Sequence, residues 1–186
     1  SGRRQRQMCI RDRYYSNIKN VDQIIENISH LKNPKGRFDL INFKTNKIIV
    51  DYAHTPESIS QVIKYVNPYF SKVVVLFGAG GNRDKEKRKL MGTASQLADS
   101  VIVTNDNPRN EDPNQISNDI LKGCDLSKTT VILDRKEAIT SAINELKENS
   151  VLLVLGKGHE MYQEINNSHI PFNDNDFINE TIGGLI

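Results

Sequence analysis

Four short segments rich in polar or glycine residues each follow an apolar run that is typical of a buried strand. The runs cover residues 47–50, 72–77, 100–104 and 151–155, and the segments that follow them are 51–56, 78–85, 106–109 and 156–160. In a parallel α/β sheet, ligands bind at the edge formed by the carboxyl ends of the strands. The four segments are therefore predicted to converge on one edge and to form a single binding site.

The segment 106–109 carries the clearest chemistry, because it combines a carboxylate, an amide, a proline and a guanidinium. Pro108 fixes its own φ angle and pushes Asn107 toward an extended conformation, so a stiff turn is predicted. The planar guanidinium of Arg109 offers a fork of donors that suits a carboxylate. Taken alone, the segment is also compatible with a surface turn, since Asn-Pro pairs often begin turns and an arginine after one is usually solvated.

The glycine-rich segment 78–85 could hold a phosphate group through its backbone N–H groups. The chain has no G-x-x-x-x-G-K-[ST] sequence, and residues 78–83 lack the third glycine of G-x-G-x-x-G. A tight turn from strand to helix remains the alternative here, and a simple connection remains the alternative for 156–158. The charged run 85–89 is expected to be solvated for the most part.

Two histidines and two carboxylates also lie in these segments. No His-x-x-x-His or cysteine pair accompanies His54 and His159, so no metal site is predicted, and each is expected to position or stack rather than to act as a base. Asp51 and Glu160 are better candidates, because carboxylates at strand ends can bind a ribose hydroxyl or an ammonium group. The absence of G-x-S-x-G leaves Ser-His-Asp catalysis without support.

Alternating patterns from Phe38 onward predict an α/β fold, an open and mostly parallel Rossmann-like sheet with helices on both faces. The predicted strands cover 38–43, 47–50, 72–77, 100–104, 129–133 and 151–155, and the predicted helices cover 56–66, 85–98, 114–121 and 135–147, with a last helix through 182 capped by 171–176. Thr55 should cap the first of these helices, with Pro56 in its first turn. Upstream, apolar residues at 21, 24, 25, 28 and 31 predict a further helix that ends near Pro34.

The composition is that of an ordinary globular protein, with 37% hydrophobic and 26% charged residues among 186. No apolar run reaches the roughly 18–20 residues that span a membrane, and no secretory signal is evident, so a cytoplasmic location is expected.

Residues 1–13 resemble the translation of a sequencing adapter. Their five arginines and one aspartate contribute +4, so without them the formal net charge of +2 becomes −2, and nucleic-acid binding is not predicted. Cys9 belongs to the same segment, which leaves Cys124 alone and predicts no disulfide.

Taken together and in order, the four segments resemble those of the Mur ligases. The matching stretches read DYAHTP at 51–56, GAGGNRDK at 78–85, DNPR at 106–109 and GKGHEMYQ at 156–163. Their order and spacing are similar to those in the C-terminal domain of the Mur ligases that add meso-2,6-diaminopimelate. The resemblance covers residues 14–186.

The resemblance implies two sets of binding residues and no certain catalytic residue or metal ligand in this chain. Residues implied to bind meso-diaminopimelate are Arg83, Asp106, Asn107, Pro108, Arg109, Gly156 and Glu160, and those implied to bind ATP are Arg37, Asp51 and His54. Arg83 would meet one carboxylate of the diamino acid, and the DNPR segment would meet its distal ammonium and carboxylate. Lysine-adding relatives lack the arginine at the position of Arg109, so diaminopimelate is expected rather than L-lysine.

The activity implied by the resemblance is ATP-driven amide formation with Mg²⁺. The γ-phosphoryl group moves to the D-Glu carboxylate of UDP-MurNAc-L-Ala-D-Glu, a peptidoglycan precursor, and the diaminopimelate amine then attacks the acyl phosphate. Catalysis of this kind depends on positioning and charge stabilisation. A monomer is expected.

The resemblance also implies a domain organisation. Residues 14–36 would be the end of a central ATP-binding domain with a linker, and residues 37–186 would be the C-terminal domain. The P-loop of the family's central domain and its N-terminal domain for the UDP-sugar peptide are not in this sequence, so a truncated product without activity of its own is expected. Asn82 and Glu86 depart from the family's usual Asp and frequent Gly, and neither is a predicted binding residue.

Two alternatives remain open. One is a stand-alone nucleotide-binding or regulatory α/β module. The other is a related folate or cyanophycin ligase domain, which would share the fold but not the pair of D-N-P-R and G-K-G-H-E segments.

Overall fold

The structure, a computed structural model, describes residues 34–185. The strands of this part are β1 (Asp39–Phe43), β2 (Asn46–Asp51), β3 (Lys72–Phe77), β4 (Ser100–Val103), β5 (Thr129–Val131), β6 (Ser150–Leu155), β7 (Tyr162–Ile165) and β8 (Ser168–Pro171). The first six form one sheet in the order β1-β2-β6-β3-β4-β5. Strand β1 is antiparallel to β2, and the other pairs in this sheet are parallel. Strands β7 and β8 form a separate antiparallel hairpin.

Helices cover both faces of the sheet. They are α1 (Pro56–Val66), α2 (Glu86–Ser95), α3 (Pro113–Leu121), α4 (Arg135–Asn144) and α5 (Asp174–Gly183). Helices α1 to α3 contribute Ile63, Met91 and Ile120 to a buried cluster on one face. Helices α4 and α5 contribute Ile139 and Ile178 to a second cluster on the other face. The predicted mostly parallel α/β sheet with helices on both faces is therefore confirmed.

Strand β6 lies in the middle of the sheet, between β2 and β3, and it is buried along its whole length. Its alternate side chains enter opposite clusters, with Leu153 on the side of α1 to α3 and Leu152 on the side of α4 and α5. A central parallel strand with helices on both faces has no solvated side, which explains its unbroken apolar sequence. The polar segment after β6 is thereby held at the centre of the sheet edge.

Helix α1 begins at the residue predicted from the sequence. The Thr55 hydroxyl accepts a hydrogen bond from the Ser58 backbone N–H at 3.2 Å, and the Ser58 hydroxyl accepts one from the Thr55 N–H at 3.0 Å. Pro56 occupies the first turn, where its missing N–H costs nothing. This capping box fixes the path of the chain from β2 into α1.

The predicted ends of several elements differ from those observed. Helix α2 covers Glu86–Ser95 rather than 85–98, and β5 stops at Val131 rather than 133. Helix α4 stops at Asn144 rather than 147. Apolar periodicity indicates which residues face the core, but the last turn of an element depends on local hydrogen bonds that the pattern does not specify.

The β7–β8 hairpin was not predicted. Its two-residue turn consists of Asn166 and Asn167, which have φ angles of 47° and 60°. Positive φ at both central positions is the requirement of a type I′ turn, and asparagine tolerates it. The hairpin carries mostly exposed or half-buried side chains, so it lacks the apolar run that would have indicated it.

The predicted helix over 21–31, the adapter-like segment 1–13 and most of the segment 14–36 lie outside the described residues. Among the helices of residues 34–185, none combines the length and the apolar character needed to cross a membrane.

Candidate functional site

A cavity of about 580 Å³ lies at the carboxyl ends of the parallel strands. Each of the four segments identified in the sequence contributes to its wall. Tyr52 and His54 follow β2, residues 78–80 and Arg83 follow β3, Asp106, Asn107 and Arg109 follow β4, and Gly156 and Glu160 follow β6. The order of the sheet therefore gathers residues more than 100 positions apart in sequence into one pocket.

Most of the predicted binding residues meet in this cavity, but three do not line it. Those that line it are His54, Arg83, Asp106, Asn107, Arg109, Gly156 and Glu160. Arg37 and Asp51 lie outside its lining. Pro108 is buried, and its carbonyl accepts a hydrogen bond from the Glu111 N–H at 3.1 Å, so it shapes the turn rather than the cavity surface.

Arg109 is held in place by both its backbone and its side chain. Its φ angle of 53° is unusual for a residue with a Cβ, and hydrogen bonds from its N–H to the Glu164 carbonyl and from Asn166 to its own carbonyl fix it there. In the guanidinium, Nη1 donates to the Gly81 carbonyl at 2.9 Å, and Nε lies 2.8 Å from a Glu164 carboxylate oxygen. Among the described residues Nη2 has no hydrogen-bond partner, so part of the fork remains available to a ligand carboxylate.

Asn107 and Glu160 are joined through a buried lysine. The Asn107 amide oxygen accepts hydrogen bonds from Lys157 Nζ at 3.0 Å and from the Glu164 N–H at 2.9 Å, while its nitrogen donates to Glu160 Oε2 at 2.8 Å. Lys157 also donates to Glu160 Oε2 at 2.9 Å and to the Tyr162 carbonyl at 2.6 Å. These contacts determine which end of the Asn107 amide faces Glu160.

The charge state of Glu160 follows from the same contacts. Partial burial acts to raise the pKa of its carboxyl, but hydrogen bonds from Lys157 and Asn107 outweigh this effect and hold the pKa below its usual value. Glu160 Oε1 makes no hydrogen bond within the described part of the chain. Glu160 is therefore an ionised carboxylate with one oxygen that can accept from a ligand.

Asp106 is a second carboxylate of the cavity wall, and it is more deeply buried than Glu160. Burial raises the pKa of its carboxyl, although the positive charges of Arg135 and Lys157 act in the opposite direction and Glu160 adds to the rise. The side chain has no hydrogen-bond partner within residues 34–185. A cation bound in the cavity would stabilise the ionised form of Asp106.

Arg135 and Asp174 form an ion pair behind Asp106, and both side chains are fully buried. The guanidinium binds both carboxylate oxygens at 2.8 Å and also donates to the carbonyls of Leu155 at 3.1 Å and Asn105 at 3.3 Å. These two carbonyls directly precede the polar segments 156–160 and 106–109. The pair therefore ties the first turns of α4 and α5 to the edge of the sheet that bears the cavity.

The hairpin strand β7 forms a second support for the DNPR segment. The Gln163 side chain donates to the Asp106 carbonyl at 3.0 Å, and β7 also supplies the Glu164 contacts to Asn107 and Arg109. Ile165 pairs with Arg109 in an isolated parallel bridge. The polar residues after β4 are thus held by a strand that comes more than 50 residues later.

Gly156 allows the wall to close around Asp106. Its φ angle is 108°, and a Cβ built on it would lie 2.6 Å from Asp106 Oδ2. Any side chain at this position would displace the carboxylate. Glycine is therefore required for both its conformation and its lack of volume.

Arg88 is an exception within the charged run, which was expected to be mostly solvated. The other four residues of 85–89 are exposed, whereas Arg88 is buried and binds Glu111 at 2.9 Å and Asp119 at 3.2 Å. It also contributes to the cavity wall. It joins α2 to α3 beneath the glycine-rich segment.

An aromatic cluster lies at the rim of the cavity. The Tyr52 ring packs against His54 at a centroid distance of 4.7 Å and His159 at 5.2 Å, and the Arg37 guanidinium lies 5.5 Å from its centroid. Nearby, the Asp51 carboxylate accepts hydrogen bonds from the N–H groups of Phe38 and Ala53, each at 2.8 Å. Each oxygen of Asp51 retains a lone pair that could accept from a hydroxyl group.

Within residues 34–185, no group of three or more His, Cys, Asp or Glu side chains is arranged to hold a metal ion. The cavity wall combines guanidinium donors with the carboxylates of Asp84, Asp106 and Glu160. Such a site can bind a zwitterionic ligand that carries both an ammonium and a carboxylate.

Sequence reasoning missed Tyr52, Lys157 and Tyr162. Tyr52 and Lys157 lie inside the segments that were identified, but an isolated tyrosine or lysine gives no sign that it is packed or buried. A lysine between two glycines at a strand end was the available signal for Lys157. Tyr162 belongs to the unpredicted hairpin.

The fold and the cavity define a domain of the α/β class with a polar cavity at the sheet edge. The family described as "Mur ligase, glutamate ligase domain" matches residues 36–158. The chain therefore belongs to the Mur ligase family, of which these residues represent the glutamate ligase domain.

Individual relatives agree with this assignment. The chain is 46% identical over 169 residues to UDP-N-acetylmuramoyl-L-alanyl-D-glutamate–2,6-diaminopimelate ligase of Rickettsia prowazekii, an alignment that covers 89% of this chain and 35% of the relative. A solved structure of a ligase with the same name is similar with a TM-score of 0.78 and 36% identity, and it covers 89% of this chain and 35% of that one. The chain spans about a third of the length of the curated relatives it matches.

A folate enzyme is less similar. The structure of folylpolyglutamate synthase from Thermotoga maritima matches with a TM-score of 0.54 and 23% identity, and it covers 79% of this chain and 33% of that one. At this identity the likeness shows the fold alone. The folate-type alternative therefore fits less well than the diaminopimelate ligases.

Proposed function

We propose that this chain is the amino-acid-binding domain of an ATP-dependent ligase that adds meso-2,6-diaminopimelate to UDP-MurNAc-L-Ala-D-Glu during peptidoglycan precursor synthesis. The observation that carries the proposal is the meeting of Arg109, Asp106 and Glu160 in one cavity. A partly available guanidinium beside two carboxylates is complementary to one end of a diamino diacid. Similarity to ligases named for the same reaction supports it.

The distal end of meso-diaminopimelate carries one ammonium and one carboxylate group. Asp106 and Glu160 would accept hydrogen bonds from the ammonium. Arg109 would donate to the distal carboxylate, together with the second amide hydrogen of Asn107. Arg83, on the exposed side of the cavity, would meet the carboxylate at the reacting end, and Gly156 would let the ligand approach Asp106.

The rim cluster fits a supporting role in nucleotide binding. Arg37 is exposed and positively charged, and Asp51 and His54 lie on either side of Tyr52 in sequence. These residues would hold the ribose and flank the nucleotide when ATP is bound. In this proposal Mg²⁺ and the γ-phosphate would be bound by the P-loop domain that the family resemblance implies.

The contribution of this domain to the reaction would be positioning. ATP supplies the phosphoryl group that converts the D-Glu carboxylate to an acyl phosphate. The residues of the cavity would fix both ends of diaminopimelate so that its free amine faces the acyl carbon, where attack releases phosphate and forms the amide. We further propose that the protein acts in the cytoplasm as a monomer.

The proposal is tested by titrating the 186-residue chain with meso-diaminopimelate, L-lysine and ATP while its ¹H–¹⁵N NMR spectrum is recorded. Meso-diaminopimelate should shift the backbone signals of the DNPR and GKGHE segments, and L-lysine should bind at least about tenfold more weakly. ATP should shift the rim around Tyr52. Equal or tighter binding of L-lysine, or shifts away from the cavity, would contradict the assignment. Without a P-loop in its sequence, the chain should release no ADP when all substrates are supplied.

A further inference from the structure

Lys157 is a buried cation behind the wall of the cavity. Its side chain has no exposed surface, and its ammonium group makes three contacts, to the amide oxygen of Asn107, to Oε2 of Glu160 and to the carbonyl of Tyr162. It does not line the cavity itself. A lysine is rarely buried to this extent unless its charge is compensated.

The contacts of Lys157 are directional, and they define what the wall presents to a ligand. An ammonium group can only donate, so its contact with Asn107 requires that the amide oxygen point toward Lys157. The Asn107 nitrogen then points toward Glu160 Oε2, which it reaches at 2.8 Å. With Oε2 engaged by both donors, Oε1 is the oxygen left for the cavity.

Lys157 also balances the charge of the site. The negative charge of Glu160 opposes ionisation of Asp106 and contributes to the raised pKa of that carboxyl. A positive charge behind them favours the ionised form of both carboxyls. Without it, one carboxyl would tend to keep a proton and would then present a donor where an ammonium ligand needs an acceptor.

We propose that Lys157 is a positioning residue, which orients the Asn107 amide and the Glu160 carboxylate from behind the wall so that the cavity accepts the distal ammonium group of a diamino acid. This inference rests on the proposed function, since it concerns the same ligand. Lys157 acts through its two neighbours and does not touch the ligand.

The test compares two ligands that differ by one group. Meso-diaminopimelate carries the distal ammonium, and 2-aminopimelate lacks it but keeps both carboxylates. The wild-type chain should bind meso-diaminopimelate about 10- to 100-fold more tightly, the range expected for a charge-assisted hydrogen bond. In Lys157→Met, which keeps most of the side-chain volume, this preference should fall below about threefold while the affinity for 2-aminopimelate is nearly unchanged.

A matched control separates positioning from general destabilisation. Lys128 also donates to two backbone carbonyls, those of Gln96 at 2.6 Å and Ala98 at 2.9 Å, and it lies outside the cavity lining. Lys128→Met should lower stability without changing the preference between the ligands. A loss of preference in both variants, or in neither, would overturn the role of Lys157.

A second measurement uses the wild-type chain and does not depend on the variant folding. A buried, hydrogen-bonded ammonium exchanges slowly, so Lys157 should give an NMR signal for its NH₃⁺ group. Meso-diaminopimelate should shift this signal and 2-aminopimelate should shift it much less. Equal shifts would count against the proposal.

The two hypotheses can fail separately. If wild-type chain bound neither ligand, the proposed function would be wrong, and the carboxyl titration of Glu160, followed by ¹³C NMR, would still decide the role of Lys157. Lys157→Met should raise the pKa of Glu160. An unchanged Glu160 titration in the folded variant would show that Lys157 does not control that carboxylate.

Discussion

Replacing Arg109 by alanine is the most direct test of the proposed selection of diaminopimelate by the cavity. The change removes the guanidinium and keeps the Cβ, so the unusual φ angle of 53° is equally strained before and after. The backbone hydrogen bonds with Glu164 and Asn166 do not involve the side chain and should keep the turn in place. The variant therefore isolates the side-chain contribution.

The magnitude follows from the donors that the structure leaves available. Nη1 is engaged by the Gly81 carbonyl, and Nε lies next to the Glu164 carboxylate, so a ligand carboxylate would gain chiefly from Nη2. One charge-assisted hydrogen bond is worth about 1.5–3 kcal/mol. The affinity for meso-diaminopimelate should fall about ten- to hundredfold, whereas that for L-lysine, which has no distal carboxylate, should change less than about threefold.

Isothermal titration or NMR titration of the chain with both amino acids measures this difference, and ATP serves as the control ligand. Arg109→Ala should leave the ATP affinity nearly unchanged, because Arg37 and Asp51 lie outside the cavity lining. Arg109→Lys should restore only part of the preference, since an ammonium cannot reproduce the planar fork. A wild-type preference for L-lysine, or unchanged diaminopimelate binding in Arg109→Ala, would refute the reasoning.

Three further changes test the supports of the cavity. Arg135→Met should lower the free energy of unfolding by about 3–5 kcal/mol in urea titrations, because it leaves the fully buried Asp174 carboxylate unpaired, and Arg135→Met/Asp174→Leu should recover much of the loss. Burial raises the pKa of Asp106 above its usual value of 3.8, so the affinity for diaminopimelate should fall as the pH is lowered through the raised pKa. In titrations at several pH values, Asp106→Asn should abolish this loss of affinity at low pH. The contribution of Asp106 to stability has the opposite sign, since a raised pKa favours folding at low pH and this gain is lost as the pH rises through it. Gly156→Ala should weaken diaminopimelate binding at least about tenfold by displacing Asp106, whereas Gly183→Ala, where a Cβ meets nothing within 4 Å, should be neutral or slightly stabilising in thermal unfolding.

Much of the fold could be predicted from the sequence because its signals are local. The apolar run 72–77 corresponds to β3 residue for residue, and Thr55 with Pro56 marks the start of α1. Alternation of strands and helices then implies a parallel sheet whose carboxyl ends share an edge. The hairpin gave no such signal, since its strands are short and polar and its turn lacks the glycine that usually marks type I′.

The position of the cavity at the sheet edge was predictable from the sequence, but the arrangement of its side chains was less so. The segments containing Asp106, Arg109 and Glu160 were expected at one edge, and the structure places them in one cavity. The pairing of Arg109 with Glu164 could not be anticipated, because it depends on the hairpin. The buried state of Arg88 was equally hidden, since the other four residues of the charged run are exposed.

The side-chain orientations that could not be predicted from the sequence have a common physical origin. A strand end specifies where a side chain emerges, but its direction is set by whatever hydrogen bonds reach it from elsewhere in the chain. Asn107 shows this, because its amide is oriented by Lys157 after β6 and by the Glu164 N–H of β7. Because one of these partners is fully buried and the other is a backbone group, neither is marked by its residue type. Selection between two similar amino acids depends on such orientations, so it should be more sensitive to changes in the supports of the cavity than the fold itself is.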